Sequence, residues 1–164
     1  MSEDQTLDLD KLVSSRIERG VATVSLILEN KKLGDEEIIR LVEMELLAEV
    51  THLELGENQI SDNGVSVLCN SPFTKNLKVI NLKSNKITET GAQFIAQAKN
   101  LTQLESLILK FNRIGEQGAK YLAESETLVN LTTLDLFRNH IGDAGAKAIK
   151  SSKNFRRVSR LRLD

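Results

Sequence analysis

The chain repeats itself every 27 residues, with no insertion or deletion to break the step. One frame reads Leu26, Leu53, Ile80, Leu107, Leu134, Leu161, and the frame two residues on reads Leu28, Leu55, Leu82, Leu109, Leu136, Leu163. A third reads Leu33, Ile60, Ile87, Ile114, Ile141, and a fourth Leu41, Leu68, Ile95, Leu122, Ile149. Between them fall Asn58, Asn85, Asn112, Asn139 and then Gly64, Gly91, Gly118, Gly145. A period of this length means that each unit is one supersecondary element. Such a unit cannot cover its own apolar face and must stack on its neighbours.

Two periodicities inside the unit say what it is. Leu107 and Leu109, two apart, describe a short strand facing a core. Gly118, Ala119, Leu122 and Ala123 have the spacing of a helix face. Each repeat therefore reads strand, turn, helix, return, and successive strands lie parallel. Strands pack about 4.8 Å apart, whereas helices need about 8–10 Å. The stack must bend, with an inner parallel sheet and outer helices. The aligned asparagines carry two donors and an acceptor each, enough to bridge backbone groups of adjacent turns. The following glycines and alanines are expected to let the helices approach the sheet closely.

The pattern L-x-x-L-x-L-x-x-N-x-I-x-x-x-G-A-x-x-L runs through Leu131, Leu134, Leu136, Asn139, Ile141, Gly145, Ala146 and Ile149. It resembles a leucine-rich repeat of the ribonuclease-inhibitor-like subtype, over residues 23–164. The resemblance implies an α/β fold: a right-handed solenoid, or horseshoe, with its parallel sheet on the concave face and helices on the convex face. It also implies a protein-binding role. Two departures stand out. Lys31 occupies the asparagine frame and Glu37 the glycine frame of the first repeat, and Pro72 is expected to end the second helix early. Residues 35–48 still describe one amphipathic helix with acids at its positive end.

At the N-terminus, residues 7–19 place Leu9, Leu12, Val13 and Ile17 on one helical face, with Gly20 able to end the helix. The organisation expected is a helical cap over residues 1–22 and a repeat domain over 23–164. The latter holds about five repeats and a partial sixth strand, within a single structural domain. That last strand, RVSRLRLD, is either guarded by Arg160, Arg162 and Asp164 or open to pairing. The oligomeric state expected is a monomer or a weak dimer through this edge.

Composition narrows the function. Net charge is −1, so no global basic field argues for nucleic acid. One cysteine, Cys69, sits in frame with Ala96 and Ala123 and reads as a small buried apolar residue. His52 and His140 have no companions at a metal-ligand spacing. No apolar run approaches the length of a membrane span, and the acidic N-terminus is unlike a secretory signal. The reading is a cytoplasmic, non-enzymatic protein without cofactor, metal or small-molecule substrate. If it is a bacterial effector, its site of action is the host cytosol.

The positions alternating with the core leucines form the concave face. Its middle column is Ile27, Glu54, Asn81, Ile108, Asp135, Arg162; the next is Glu29, Gly56, Lys83, Lys110, Phe137; and Asn30, Glu57, Ser84, Phe111 and Arg138 lie just beyond. Three large apolar residues in exposed frames, Ile108, Phe111 and Phe137, mark a protein contact site. Lys83, Lys110 and Arg138 lie beside them. The competing arrangement has the two phenylalanines tucked against the strand ends. Charge is polarised as well: residues 1–50 carry 12 acids and 6 bases, residues 147–164 carry 7 bases and 1 acid. An alternative function is therefore anion or nucleic-acid binding through Lys153, Arg156, Arg157, Arg160 and Arg162. Self-assembly through the last strand is another.

Overall fold

A computed structural model describes residues 8–164 of the chain. The helices are α1 (Leu9–Ser14), α2 (Asp35–Leu41), α3 (Asp62–Asn70), α4 (Glu89–Gln97), α5 (Gly115–Ala123) and α6 (Gly142–Ser151). The strands are β1 (Ile17–Arg19), β2 (Val24–Ile27), β3 (His52–Glu54), β4 (Val79–Asn81), β5 (Ser106–Ile108), β6 (Thr133–Asp135) and β7 (Arg160–Arg162). All seven strands join one sheet in chain order. From β2 to β7 they are parallel, and the register equals the repeat: Leu26 pairs with Leu53, then come Ile80, Leu107, Leu134 and Leu161. The fold is an α/β leucine-rich-repeat-type solenoid.

The core is a stack of aliphatic columns. The two strand frames are no more than 1% exposed from Leu26 to Leu136. The returns add two further columns, Leu47, Leu101, Leu128 and Val50, Leu77, Leu104, Leu131, equally buried. Each layer must fit the next at strand separation, which favours leucine and isoleucine over bulky rings. In the outermost layer Leu161 and Leu163 are only partly buried.

Four details differ from the sequence-based expectation. The N-terminal helix stops at Ser14, and Ile17–Arg19 becomes a strand antiparallel to β2, pairing Ile17 with Leu26. Serines 14 and 15 favour backbone-bonded turns over helix, and Ser15 Oγ donates to the Leu12 carbonyl. Gly20 lies in the hairpin turn, its N–H donating to the Thr23 carbonyl. Leu9 and Val13 are fully buried in the core; Leu7 lies outside the described residues.

The helix expected over 35–48 ends at Leu41, and a 3-10 segment, Glu45–Glu49, follows. A straight continuation would carry the chain away from His52, where the next strand starts; the break returns it and buries Leu47. Nor does Pro72 shorten α3, which has the same 9 residues as α4 and α5. It starts a separate 3-10 turn, Pro72–Thr74, capped by Ser71, where a missing N–H costs nothing.

The repeat glycines, finally, admit the neighbouring helix rather than the sheet. A Cβ on Gly118 would lie 2.6 Å from Ile114 Cγ2 and 3.0 Å from the Glu89 Cα of α4. Backbone cannot yield as a side chain tip can, so Gly118→Ala is expected to cost about 1–3 kcal/mol. A urea midpoint equal to that of the parent protein would refute this close approach.

Candidate functional site

The concave rim is built by the asparagine ladder. Asn112 donates from Nδ2 to the carbonyls of Leu82 (2.9 Å) and Leu109 (2.8 Å), and its Oδ1 accepts from Ile87 N–H (3.1 Å). Asn139 repeats this one layer on, to Leu109 (2.9 Å) and Leu136 (3.0 Å), and accepts from Ile114 N–H (3.2 Å). Asn58 and Asn85 do the same in the earlier layers. Lys31 can stand in the first frame because β1, antiparallel, offers no preceding turn to bridge.

Each turn holds in the left-handed region the residue before the ladder position, which is an asparagine in the later repeats and Lys31 in the first. Asn30, Glu57, Ser84, Phe111 and Arg138 have φ of 54, 56, 52, 59 and 56°. That conformation costs a bulky residue about 1–2 kcal/mol. Phe111 and Arg138 are thus held outward on the rim by their neighbours.

The two phenylalanines meet. Their ring centroids lie 6.0 Å apart at an interplanar angle of 80°, an edge-to-face pair. Arg138 sits 5.6 Å from each centroid, Arg162 5.3 Å from Phe137 and Lys110 5.9 Å from Phe111. Phe111 remains 42% exposed and Phe137 is half-buried. A pocket of about 650 Å³ opens against the pair, lined by Phe111, Asn112, Phe137, Arg138, His140 and Asp164. Backbone bonds orient it: Phe111 N–H donates to the Phe137 carbonyl (2.9 Å), and Phe137 N–H to Asp135 Oδ1 (3.1 Å).

Five of the six expected site residues fall at this end of the sheet. Ile108, half-buried, occupies the middle column between Asn81 and Asp135. Lys83 is different. Its stem lies over Gly56, and its ammonium pairs with Glu29 and with Glu57 (3.1 Å). The hydrogen bond to Glu29 is the largest influence holding its pKa above the ordinary lysine value, partial desolvation opposes it, and Glu57 adds to it. Lys83 therefore closes an acidic cluster instead of joining the aromatic one.

Arg162, which the sequence places in the middle column and also within a basic C-terminal segment, lies over Phe137, with Asp135 Oδ2 at 3.7 Å. Lys153, Arg156 and Arg157 line a separate pocket with Val129, Asn130 and Asn154. The place of Arg162 follows from the repeat, since it stands 27 residues after Asp135 in the middle column. Cys69 is 4% exposed, and burial pushes its thiol pKa up to about 12, which leaves it protonated and inert.

Asp164 takes over the ladder in the outermost layer. Its carboxylate accepts from the N–H groups of Asn139 and Ile141, each at 2.9 Å. Partial burial raises its pKa, but backbone N–H donors from Asn139, Ile141, Arg138 and His140 together bring it below the ordinary 3.8. A depressed carboxylate stabilises the fold above its unfolded pKa, and that contribution disappears as pH falls through the lower folded value. Asp164→Ala should accordingly flatten the acid limb of the stability profile below about pH 4. Parallel profiles for variant and parent would refute the assignment.

Among the described residues, no helix is long and apolar enough to cross a membrane. No curated protein matches the chain. Among solved structures, it is similar to an internalin from Listeria monocytogenes at 24% identity, with a TM-score of 0.41 over 75% of this chain. The chain spans 37% of that internalin's length. The family model described as Leucine Rich repeat matches residues 50–69, 75–96, 100–123 and 127–150. Members of that family typically mediate protein–protein interaction and are generally non-enzymatic binding modules. Four successive matches over more than half of its length, each on one layer of the solenoid, place this chain in the leucine-rich repeat family.

Proposed function

We propose that the chain binds a protein partner through the concave face of its sheet. Ile108, Lys110, Phe111, Phe137 and Arg138 form the contact core, and Lys83 lies beside it with its charge already matched. The observation that carries this reading is the edge-to-face phenylalanine pair standing on an otherwise polar rim. A ring pair of which Phe111 is held outward against a backbone cost, with cations beside it, has the composition of an interface hot spot. The ribonuclease-inhibitor-like subtype belongs to the same reading and is supported by an α-helix in every repeat from α2 to α6.

The test compares capture of lysate proteins by the parent chain and by a Phe111→Asp, Phe137→Asp double variant. A protein held by the parent and lost by the variant supports the concave site. Equal capture by both sinks it.

A further inference from the structure

The concave face carries opposite charge at its two ends, and its side chains are more fully paired at the acidic end than at the basic one. Toward the N-terminus, Glu29, Glu54 and Glu57 against Lys83 leave −2. These acids are already engaged: Glu29 and Glu57 hold Lys83, and Glu54 accepts from Asn81 Nδ2 at 2.7 Å. Toward the C-terminus, Lys110, Arg138 and Arg162 against Asp135 and the pocket-lining Asp164 leave +1, and the Asp164 carboxylate is already held by backbone N–H groups. Among the described residues, Lys110 and Arg138 have no ion-pair partner, and Arg162 has only Asp135 at 3.7 Å. These cations rest on the phenylalanine rings, and Arg138 also lines the pocket beside them.

Resting on the concave-face reading above, we propose that the partner presents an acidic segment with an apolar side chain: carboxylates pair with Lys110 and Arg138, and the apolar group enters the pocket against Phe111 and Phe137. The pocket volume, about 650 Å³, is in the range of sites that hold compact ligands. Charge-assisted pairing to arginine would be strengthened by the apolar floor, which excludes water.

A single-stranded nucleic acid fits the same site less well. Base stacking needs open ring faces, and here Arg138 lies over both rings and Arg162 over Phe137. The rings are 80° apart, so they offer no pair of parallel platforms. A longer polyanion following the sheet would also run onto the acidic end.

The test is selection of a random peptide library, about 12 residues long, on the full chain. Enriched peptides are then titrated by fluorescence polarisation against the parent, Arg138→Glu and the Phe111→Asp, Phe137→Asp double variant. The expected peptides combine Asp or Glu with a large apolar residue. They lose about tenfold or more on Arg138→Glu, equivalent to about 1.4 kcal/mol, and weaken as salt rises. Replacing their acid by lysine should restore binding to Arg138→Glu.

Peptides lost on the double variant but indifferent to Arg138→Glu would overturn the acidic partner while leaving the concave site standing. Peptides that bind the double variant as well as the parent would overturn both. No enrichment, or tighter binding of an oligo-dT of similar length than of any peptide, would also overturn the proposal.

Discussion

Asn112→Ala is expected to destabilise the protein by about 3–5 kcal/mol. The side chain serves three backbone groups, the carbonyls of Leu82 and Leu109 and the N–H of Ile87. Alanine leaves all three without that partner, at a site where Asn112 is 5% exposed and the flanking Leu109 and Ile87 are fully buried. Each buried orphan costs about 1–3 kcal/mol, partly relieved by the lost group's own desolvation. Asn85→Ala removes a similar set of bonds, to Leu55, Leu82 and Ile60. Asn85 is only half-buried, however, so water can reach the exposed groups. Its cost should be nearer 1 kcal/mol. Urea unfolding of the two variants decides the matter. Equal, small losses would mean that the aliphatic columns alone hold the layers in register.

The second large effect is on binding and should leave the fold alone. Phe111→Asp with Phe137→Asp is expected to lower partner affinity by at least about 100-fold, equivalent to about 2.7 kcal/mol. Stability should change little, because opposing terms act at Phe111. Losing the ring removes the contact with Phe137, worth about 0.5–1.5 kcal/mol. Losing a bulky residue at φ 59° recovers about as much, since aspartate and asparagine tolerate the left-handed region better. Phe111→Asn separates the two contributions without introducing a charge. It should weaken binding by about tenfold or more while leaving the unfolding free energy within about 1 kcal/mol. Strong destabilisation by Phe111→Asn would show that the ring serves the fold, and would remove the case for a contact residue.

Much of this site was legible in the repeat. Once the 27-residue step is recognised, every side chain acquires a column, and Phe111 and Phe137 fall in exposed ones by subtraction. The step also places Arg162 in the middle column, next to the column of Phe137, although along the chain its charge falls among Arg156, Arg157 and Arg160. Proximity along the chain misleads for Arg156 and Arg157, because the return runs along another surface, whereas Arg160 and Arg162, two apart on β7, share a face. Lys83 shows the reverse error. It shares a column with Lys110, but Gly56 leaves room for its stem to cross to Glu29 and Glu57. A column assigns a face without deciding which neighbour a long, flexible side chain will choose.

The sequence by itself determined the layer: strand, ladder asparagine, helix and aliphatic columns, because a strict period forces each unit to bury the same positions against the next. Only the tertiary structure decided the deviations from that period. The first helix became a helix and an antiparallel strand because β2 offered an open edge. The 35–48 helix broke because the chain had to reach His52. The glycines turned out to face neighbouring helices because the convex layer is where closely packed backbone meets backbone. The binding rim likewise depended on side-chain reach across columns, which charge, ring geometry and the space above Gly56 settle together and which no periodicity encodes.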